Sequence, residues 1–182
     1  LYSLSSSQKS INDSIIIYDT ELPAQKCIYV KGIDSLRFRL MLPINNDSLI
    51  KYPLLLFFHG AGERGNDNVR QMNLISEYLK TETFKRQSAF VLLPQCPENQ
   101  KWVDADWTED FNILKDRMTD PLRLSKVLIE NISEIYKTDT TKYYAIGMSM
   151  GGFGVWDIIS RYPDLFSAVI PICGGGDLNY AE

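Results

Sequence analysis

The chain has 182 residues, of which 45% are apolar and 12% aromatic, enough to bury the core of one globular domain. Its 19 basic and 23 acidic residues give a net charge of −4 without a basic cluster, so neither nucleic acid nor an anionic membrane surface is expected as a partner. No apolar run approaches the roughly 20 residues that span a bilayer. We therefore expect a single domain over residues 1–182 and an uncharged or weakly charged ligand.

The Ser-rich start of the chain, residues 1–13, predicts a flexible lead-in. The chain begins with Leu1 rather than Met, which a removed signal peptide would explain and a cloning choice would explain equally well. We expect a secreted or periplasmic protein, with the cytoplasm as the alternative.

Strands and helices alternate along the rest of the chain, as in an α/β fold. Apolar and polar residues alternate over residues 36–42, which predicts a half-exposed antiparallel strand, and residues 14–18 and 26–30 are further strand candidates. Helical periodicity follows Asp120 and Pro121 and continues to Ile135. Four mostly apolar runs predict central parallel strands, at residues 54–58, 89–93, 143–146 and 168–172.

A glycine-rich segment, here called the glycine turn (residues 59–65), follows the first of these runs. Such a turn brings backbone N–H groups close to a ligand, and Ala61, with Gly62 as the fallback, is the predicted donor. His59 is the single histidine of the chain, and we expect it to hydrogen-bond the turn rather than to act as a base. Glu63 and Arg64 are predicted to pair locally and brace the turn, with substrate contact as the alternative.

The segment from residue 95 to 108 follows another predicted central strand and carries Trp102 and Trp107. Both indoles are candidates for contact with an aromatic or sugar ring of a substrate. Packing of a long loop is the alternative for each of them.

The most informative segment is Gly147-Met148-Ser149-Met150-Gly151, which follows a short apolar strand and precedes a helical pattern that Pro163 ends. G-x-S-x-G in this context predicts a nucleophile elbow with an exposed Ser149 Oγ. The N–H of Met150 is then the second predicted oxyanion donor beside Ala61. A phosphate-binding loop is excluded because no lysine follows the glycines, and a dinucleotide fingerprint lacks its third glycine.

On these motifs the chain resembles the α/β-hydrolase superfamily. It is most similar to esterases related to polyhydroxybutyrate depolymerases, feruloyl and acetylxylan esterases and so-called predicted peptidases. The blocks that carry the resemblance fall in family order and are residues 59–65, residues 93–97 with Trp102, residues 147–152, residues 161–163 and residues 171–177. The resemblance implies acyl transfer through Ser149, carboxylic ester substrates such as acetyl or feruloyl groups on plant polysaccharide, and no cofactor.

The chain also departs from that family, because no histidine follows Ser149. A complete member continues with two more strands, an acid and a histidine; Asp177 comes too early to be that acid and is interpreted as a loop residue. Fragment, truncated gene product and degenerate relative are the three explanations, and the strand edge that an end after residue 172 would expose favours the fragment. A serine peptidase and a non-catalytic binding module therefore stay open as alternatives to the esterase.

The three cysteines, Cys27, Cys96 and Cys173, are an odd number without C-x-x-C spacing. This spacing suggests neither a metal site nor a redox pair. We expect buried free thiols.

Overall fold

A computed structural model describes most of the chain from residue 15 onwards. The residues that it describes are 15–19, 25–30, 36–43, 47, 49–82, 86, 88–107, 113–136 and 138–180. The predicted lead-in, residues 1–13, lies outside them.

Seven strands form one mixed sheet in the order β1-β2-β3-β5-β4-β6-β7. They are β1 (Ile15–Asp19), β2 (Gln25–Val30), β3 (Leu36–Met41), β4 (Leu54–Phe58), β5 (Phe90–Gln95), β6 (Tyr143–Met148) and β7 (Ala168–Ile172). The first three are antiparallel to their neighbours, and β5, β4, β6 and β7 run parallel to one another. The predicted α/β class and the four parallel strands are confirmed.

Helices cover both faces of this sheet. Those with described bounds are α1 (Ser76–Leu79), α2 (Asp120–Tyr136) and α3 (Met150–Arg161). The larger core packs α2 and α3 against the face that carries Leu54, Leu56 and Phe58, whereas α1 covers the opposite side chains of β4 and β5. Within the described part of the chain, no helix is both long and apolar enough to cross a membrane.

Burial falls off along the four parallel strands. Every residue of β4 and β5 is buried, as the two-sided apolar runs predicted. In β6 only alternate residues are buried, and Tyr144 is exposed. Among the described strands, β7 pairs with β6 alone; it has no buried residue, and Ile170 is 54% exposed. β6 lies between β4 and β7, as predicted for a central parallel strand, whereas the exposure of β7 agrees with the open strand edge expected after residue 172.

The helix predicted after Ser149 is present as α3 and ends at Arg161, two residues before Pro163. Trp156, one of its large apolar residues, is 37% exposed. The buried face is formed instead by the glycines of the first turn together with Val155 and Ile158. Small residues allow this face to approach the sheet closely. A pattern of large apolar residues alone therefore does not identify the buried face of the helix.

Candidate functional site

Ser149 occupies the turn between β6 and α3, where its backbone has φ 52° and ψ −118°. A serine rarely adopts this left-handed conformation, so the surrounding contacts must hold it there. Its N–H donates to the Ile172 carbonyl at 2.7 Å, and its own carbonyl accepts from the N–H groups of Gly152 and Phe153 at 2.8 and 3.2 Å. The strand-turn-helix placement predicted from the sequence is confirmed, while the catalytic role of Ser149 stays a prediction.

The glycines around Ser149 are required by close backbone contacts. A Cβ on Gly147 would lie 2.1 Å from the Gly151 carbonyl oxygen, and a Cβ on Gly151 would lie 2.0 Å from the Phe58 carbonyl oxygen. A Cβ on Gly152 would lie 2.7 Å from the Ile172 carbonyl oxygen. Each glycine therefore lets one neighbouring backbone approach the turn that presents Ser149.

The glycine turn stands directly beside this elbow. After β4, residues Ala61–Glu63 form one turn of 3₁₀ helix. A Cβ on Gly60 would lie 3.8 Å from the Cβ of Ser149 and 3.6 Å from the Met148 carbonyl oxygen. The fold thus brings together the two segments predicted to supply the oxyanion donors, Ala61 and Met150, and their role as donors stays a prediction.

His59 is fully buried, and both of its ring nitrogens are engaged. Nδ1 lies 2.7 Å from the Gly60 carbonyl oxygen, and Nε2 accepts from the Cys96 N–H at 2.9 Å. Because Nε2 accepts, the proton of the neutral ring lies on Nδ1, which donates to Gly60. His59 therefore ties the glycine turn to the end of β5, as predicted, and has no free nitrogen for a serine hydroxyl.

Burial also keeps the His59 ring neutral. Loss of solvent lowers the pKa of His59 to about 4, and the nearby positive charge of Arg64 lowers it further, against the hydrogen bond to Gly60. A ring with this pKa does not take up a second proton near neutral pH. The imidazole consequently acts as a fixed hydrogen-bonding element of the turn.

The predicted local pairing of Glu63 with Arg64 is wrong. Arg64 Nε donates to the Ala61 carbonyl at 2.9 Å, and Nη1 donates to the Gln100 carbonyl at 3.4 Å. Arg64 braces the glycine turn through these carbonyls rather than through a carboxylate. Every residue has a backbone carbonyl, so the sequence alone could not show that Arg64 donates to carbonyls rather than to the side chain of Glu63.

Trp102 belongs to the core, and its predicted substrate contact is corrected by the structure. Its side chain is fully buried, its Nε1 donates to the His59 carbonyl at 3.0 Å, and its ring packs 4.7 Å from that of Phe58. No face of the indole is open to a ligand. The tryptophan instead packs against the end of β4 and hydrogen-bonds the first residue of the glycine turn.

Trp107 remains 40% exposed, so its predicted substrate contact stays a prediction. Its ring centroid lies 6.4 Å from that of Phe153, and Lys101 Nζ lies 4.6 Å from the Trp107 centroid. Phe153 is one helical turn after Ser149, so this aromatic pair lies near the elbow. Phe153 was not among the predicted site residues, although its spacing of four from Ser149 places it one turn along the helix that follows the elbow.

Asp177 lies in the segment after β7, as predicted, and its carboxylate binds neighbouring backbone. Oδ2 accepts from the Leu114 N–H at 2.8 Å and Oδ1 from the Asn179 N–H at 2.9 Å. These bonds, the one from Leu114 foremost, lower the pKa of Asp177. The residue fastens two loops together.

The cysteines differ in their surroundings. Cys96 is a buried free thiol, as predicted, and burial raises its pKa to about 12. Cys173 is also free but exposed, which corrects the expectation for that residue. Among the described residues, no group of three His, Cys, Asp or Glu side chains is placed to hold a metal ion.

The model of the Esterase family, described as "Putative esterase", matches residues 34–175. The chain belongs to the Esterase family. A comparison with curated proteins gives no match. Among solved structures, a thermostable esterase shares 34% sequence identity with a TM-score of 0.73, and the alignment covers 93% of this chain and 43% of that esterase.

More distant solved structures share the fold. An acetyl xylan esterase from Aspergillus awamori aligns with a TM-score of 0.51 at 15% identity, covering 74% of this chain and 45% of that one. Est1E from Butyrivibrio proteoclasticus aligns with a TM-score of 0.54 at 20% identity, covering 81% of this chain and 50% of that one. This member of the Esterase family thus spans half or less of the length of these three relatives.

Proposed function

We propose that the protein hydrolyses carboxylic esters through a covalent acyl-enzyme on Ser149. The observation that carries this proposal is the strained φ of Ser149 in a glycine-lined elbow, beside a second turn rich in backbone N–H groups. Membership of the Esterase family supports the same activity.

In the proposed reaction, Ser149 Oγ bonds to the carbonyl carbon of the ester while a general base takes the hydroxyl proton. The N–H groups of Ala61 and Met150 donate to the carbonyl oxygen as it becomes an oxyanion. Collapse of the tetrahedral intermediate breaks the bond between the carbonyl carbon and the alkoxy oxygen, and the base returns its proton to the departing alcohol. Water then hydrolyses the acyl-enzyme by the same sequence of steps.

This mechanism requires a base other than His59. Both nitrogens of that ring are already hydrogen-bonded, and its pKa of about 4 makes it a poor proton acceptor near neutral pH. The 182 residues contain no second histidine.

For the substrate we propose acetyl or feruloyl esters of plant polysaccharide. The half-exposed ring of Trp107 beside Phe153 supports this proposal, because aromatic side chains stack well on flat rings and on sugars. Such polymers are met outside the cytoplasm, so we also propose secretion or a periplasmic location.

The proposed activity is tested on the natural protein that carries this sequence, with Ser149→Ala as the control. We expect hydrolysis of 4-nitrophenyl acetate by the unmodified protein and none above background by the variant. Faster cleavage of a matched aminoacyl anilide than of the ester would favour a peptidase instead. Saturable binding of an acetylated xylo-oligosaccharide without turnover would favour the binding module and contradict the esterase.

A further inference from the structure

We propose that Gln95, the last residue of β5, is a positioning residue that fixes the glycine turn in the shape that presents the Ala61 N–H toward Ser149. The inference rests on the proposed function and identifies a residue through which that turn is held. Gln95 is 1% exposed, and both the nitrogen and the oxygen of its side-chain amide are hydrogen-bonded.

The amide spans the glycine turn and the residues that follow it. Nε2 donates to the Glu63 carbonyl at 3.2 Å and to Asp67 Oδ1 at 2.8 Å, while Oε1 accepts from the Asn68 N–H at 2.6 Å. The three partners lie 27 to 32 residues from Gln95 in sequence. A single buried side chain therefore joins the end of β5 to the end of the turn.

The backbone of the next residue fastens the turn at two other points. The Cys96 N–H donates to His59 Nε2 at 2.9 Å, and the Cys96 carbonyl accepts from the Gly65 N–H at 3.0 Å. These two bonds hold the first and last residues of the glycine turn. Gln95 supplies the contact at Glu63, between them, where backbone bonding to β5 is not provided.

The groups around the Gln95 side chain require two hydrogen-bond donations and one acceptor from it. Nε2 faces two acceptors, a carbonyl and a carboxylate, whereas Oε1 faces a backbone N–H. The hydrogen bonds from Val69, Gln95 and Arg70 outweigh burial and lower the pKa of Asp67 to about 2, so that carboxylate stays ionised near neutral pH. An amide of this length satisfies all three groups, and an ionised carboxylate at the same place would satisfy only one.

The experiment compares Gln95→Met with Gln95→Glu in the natural protein. We measure the second-order rate constant for labelling of Ser149 by a neutral fluorophosphonate between pH 5.5 and 8. At each pH the value for the variant is divided by the value for the unmodified protein. We expect Gln95→Met to be at least tenfold slower at every pH. Gln95→Glu should be at least as slow at pH 8 and should recover about tenfold toward pH 5.5, because its protonated carboxyl regains one donor.

Asn131→Asp is the matched control, since Asn131 is also a buried amide but donates within α2, to the Val127 carbonyl. Its relative labelling rate should not change with pH. If Gln95→Met does not fold, Gln95→Asn replaces it, because the shorter amide cannot span the same three groups and should also label slowly.

Unchanged labelling of folded Gln95 variants would overturn the positioning role, and so would slow labelling of Gln95→Glu without recovery at low pH, which indicates packing alone. Absence of labelling in the unmodified protein would instead overturn the proposed function. The two failures are therefore distinguishable.

Discussion

The elbow around Ser149 and the glycine turn beside it are both held in a fixed backbone conformation, but by different interactions. The elbow is held by close backbone packing, in which glycines leave room for neighbouring carbonyls. The glycine turn is held by side-chain hydrogen bonds, made by His59 and Arg64 within the turn and by Gln95 at the end of β5. The elbow therefore depends on the absence of side chains, and the glycine turn depends on hydrogen bonds that side chains make to its backbone.

This difference predicts how each segment responds to mutation. Backbone atoms packed against a glycine cannot move aside, so a side chain added at Gly147, Gly151 or Gly152 should lower the free energy of unfolding strongly. A turn held by several hydrogen bonds should lose stability and reactivity in smaller increments.

The largest effect is expected for Gly151→Ala, because its Cβ would lie 2.0 Å from the Phe58 carbonyl oxygen. We expect the free energy of unfolding to fall by about 3 kcal/mol or more. Gly62→Ala is the matched control, since a Cβ there meets nothing within 4 Å. Urea unfolding of both variants measures the effect, and equal midpoints would contradict the steric account of the elbow.

A second large effect should appear in the pH dependence of stability through His59. The unfolded chain takes up a proton near the ordinary pKa of 6.5, whereas the buried ring resists protonation until about pH 4. The contribution of His59 to stability is therefore complete above pH 6.5 and is lost as the pH falls from 6.5 to 4, by on the order of 3 kcal/mol. Comparing urea unfolding of His59→Gln and the unmodified protein across this range isolates the effect, and parallel curves would refute it.

Relief of strain at Ser149 should be smaller and of opposite sign. Ser149→Gly should raise the free energy of unfolding by about 1 kcal/mol over Ser149→Ala, since glycine adopts φ 52° freely. Both variants lack the hydroxyl, so thermal unfolding of the pair compares the backbone strain of alanine with the extra conformational entropy that glycine loses on folding. A less stable glycine variant would contradict the prediction that the strain is the larger of the two.

The smallest effect is expected for Arg64→Met, which removes the bond to the Ala61 carbonyl but keeps the aliphatic packing. Stability should fall by about 0.7 kcal/mol, and fluorophosphonate labelling by roughly threefold, the rate equivalent of that energy. Stopped-flow labelling measures the rate. A loss as large as that of Gly151→Ala would remove the distinction between the two segments.

The elbow was predictable from the sequence because its determinants are adjacent in the chain. Gly147, Ser149 and Gly151 occur within five residues, between a strand and a helix. The apolar runs of β4 and β5 were equally clear, because burial on both faces leaves a continuous apolar segment.

The contacts that join the glycine turn to other segments were not predictable in their partners, because those partners are far apart in sequence. Trp102 bonds to the His59 carbonyl across 43 residues, and its burial reversed the expected role. Gln95 ends an apolar run, but its three hydrogen-bond partners lie 27 to 32 residues away in sequence. Arg64 donates to backbone carbonyls rather than to Glu63, and the positions of those carbonyls are known only from the folded chain.

The central claim, that Ser149 is an activated nucleophile, is tested most directly by intact-mass measurement after treatment with a neutral fluorophosphonate. The natural protein that carries this sequence is compared with Ser149→Ala, and the adduct is mapped by peptide mass spectrometry. We predict one adduct, located on Ser149 and missing from the variant. No adduct on the natural protein, or an adduct that persists in Ser149→Ala, would contradict the claim.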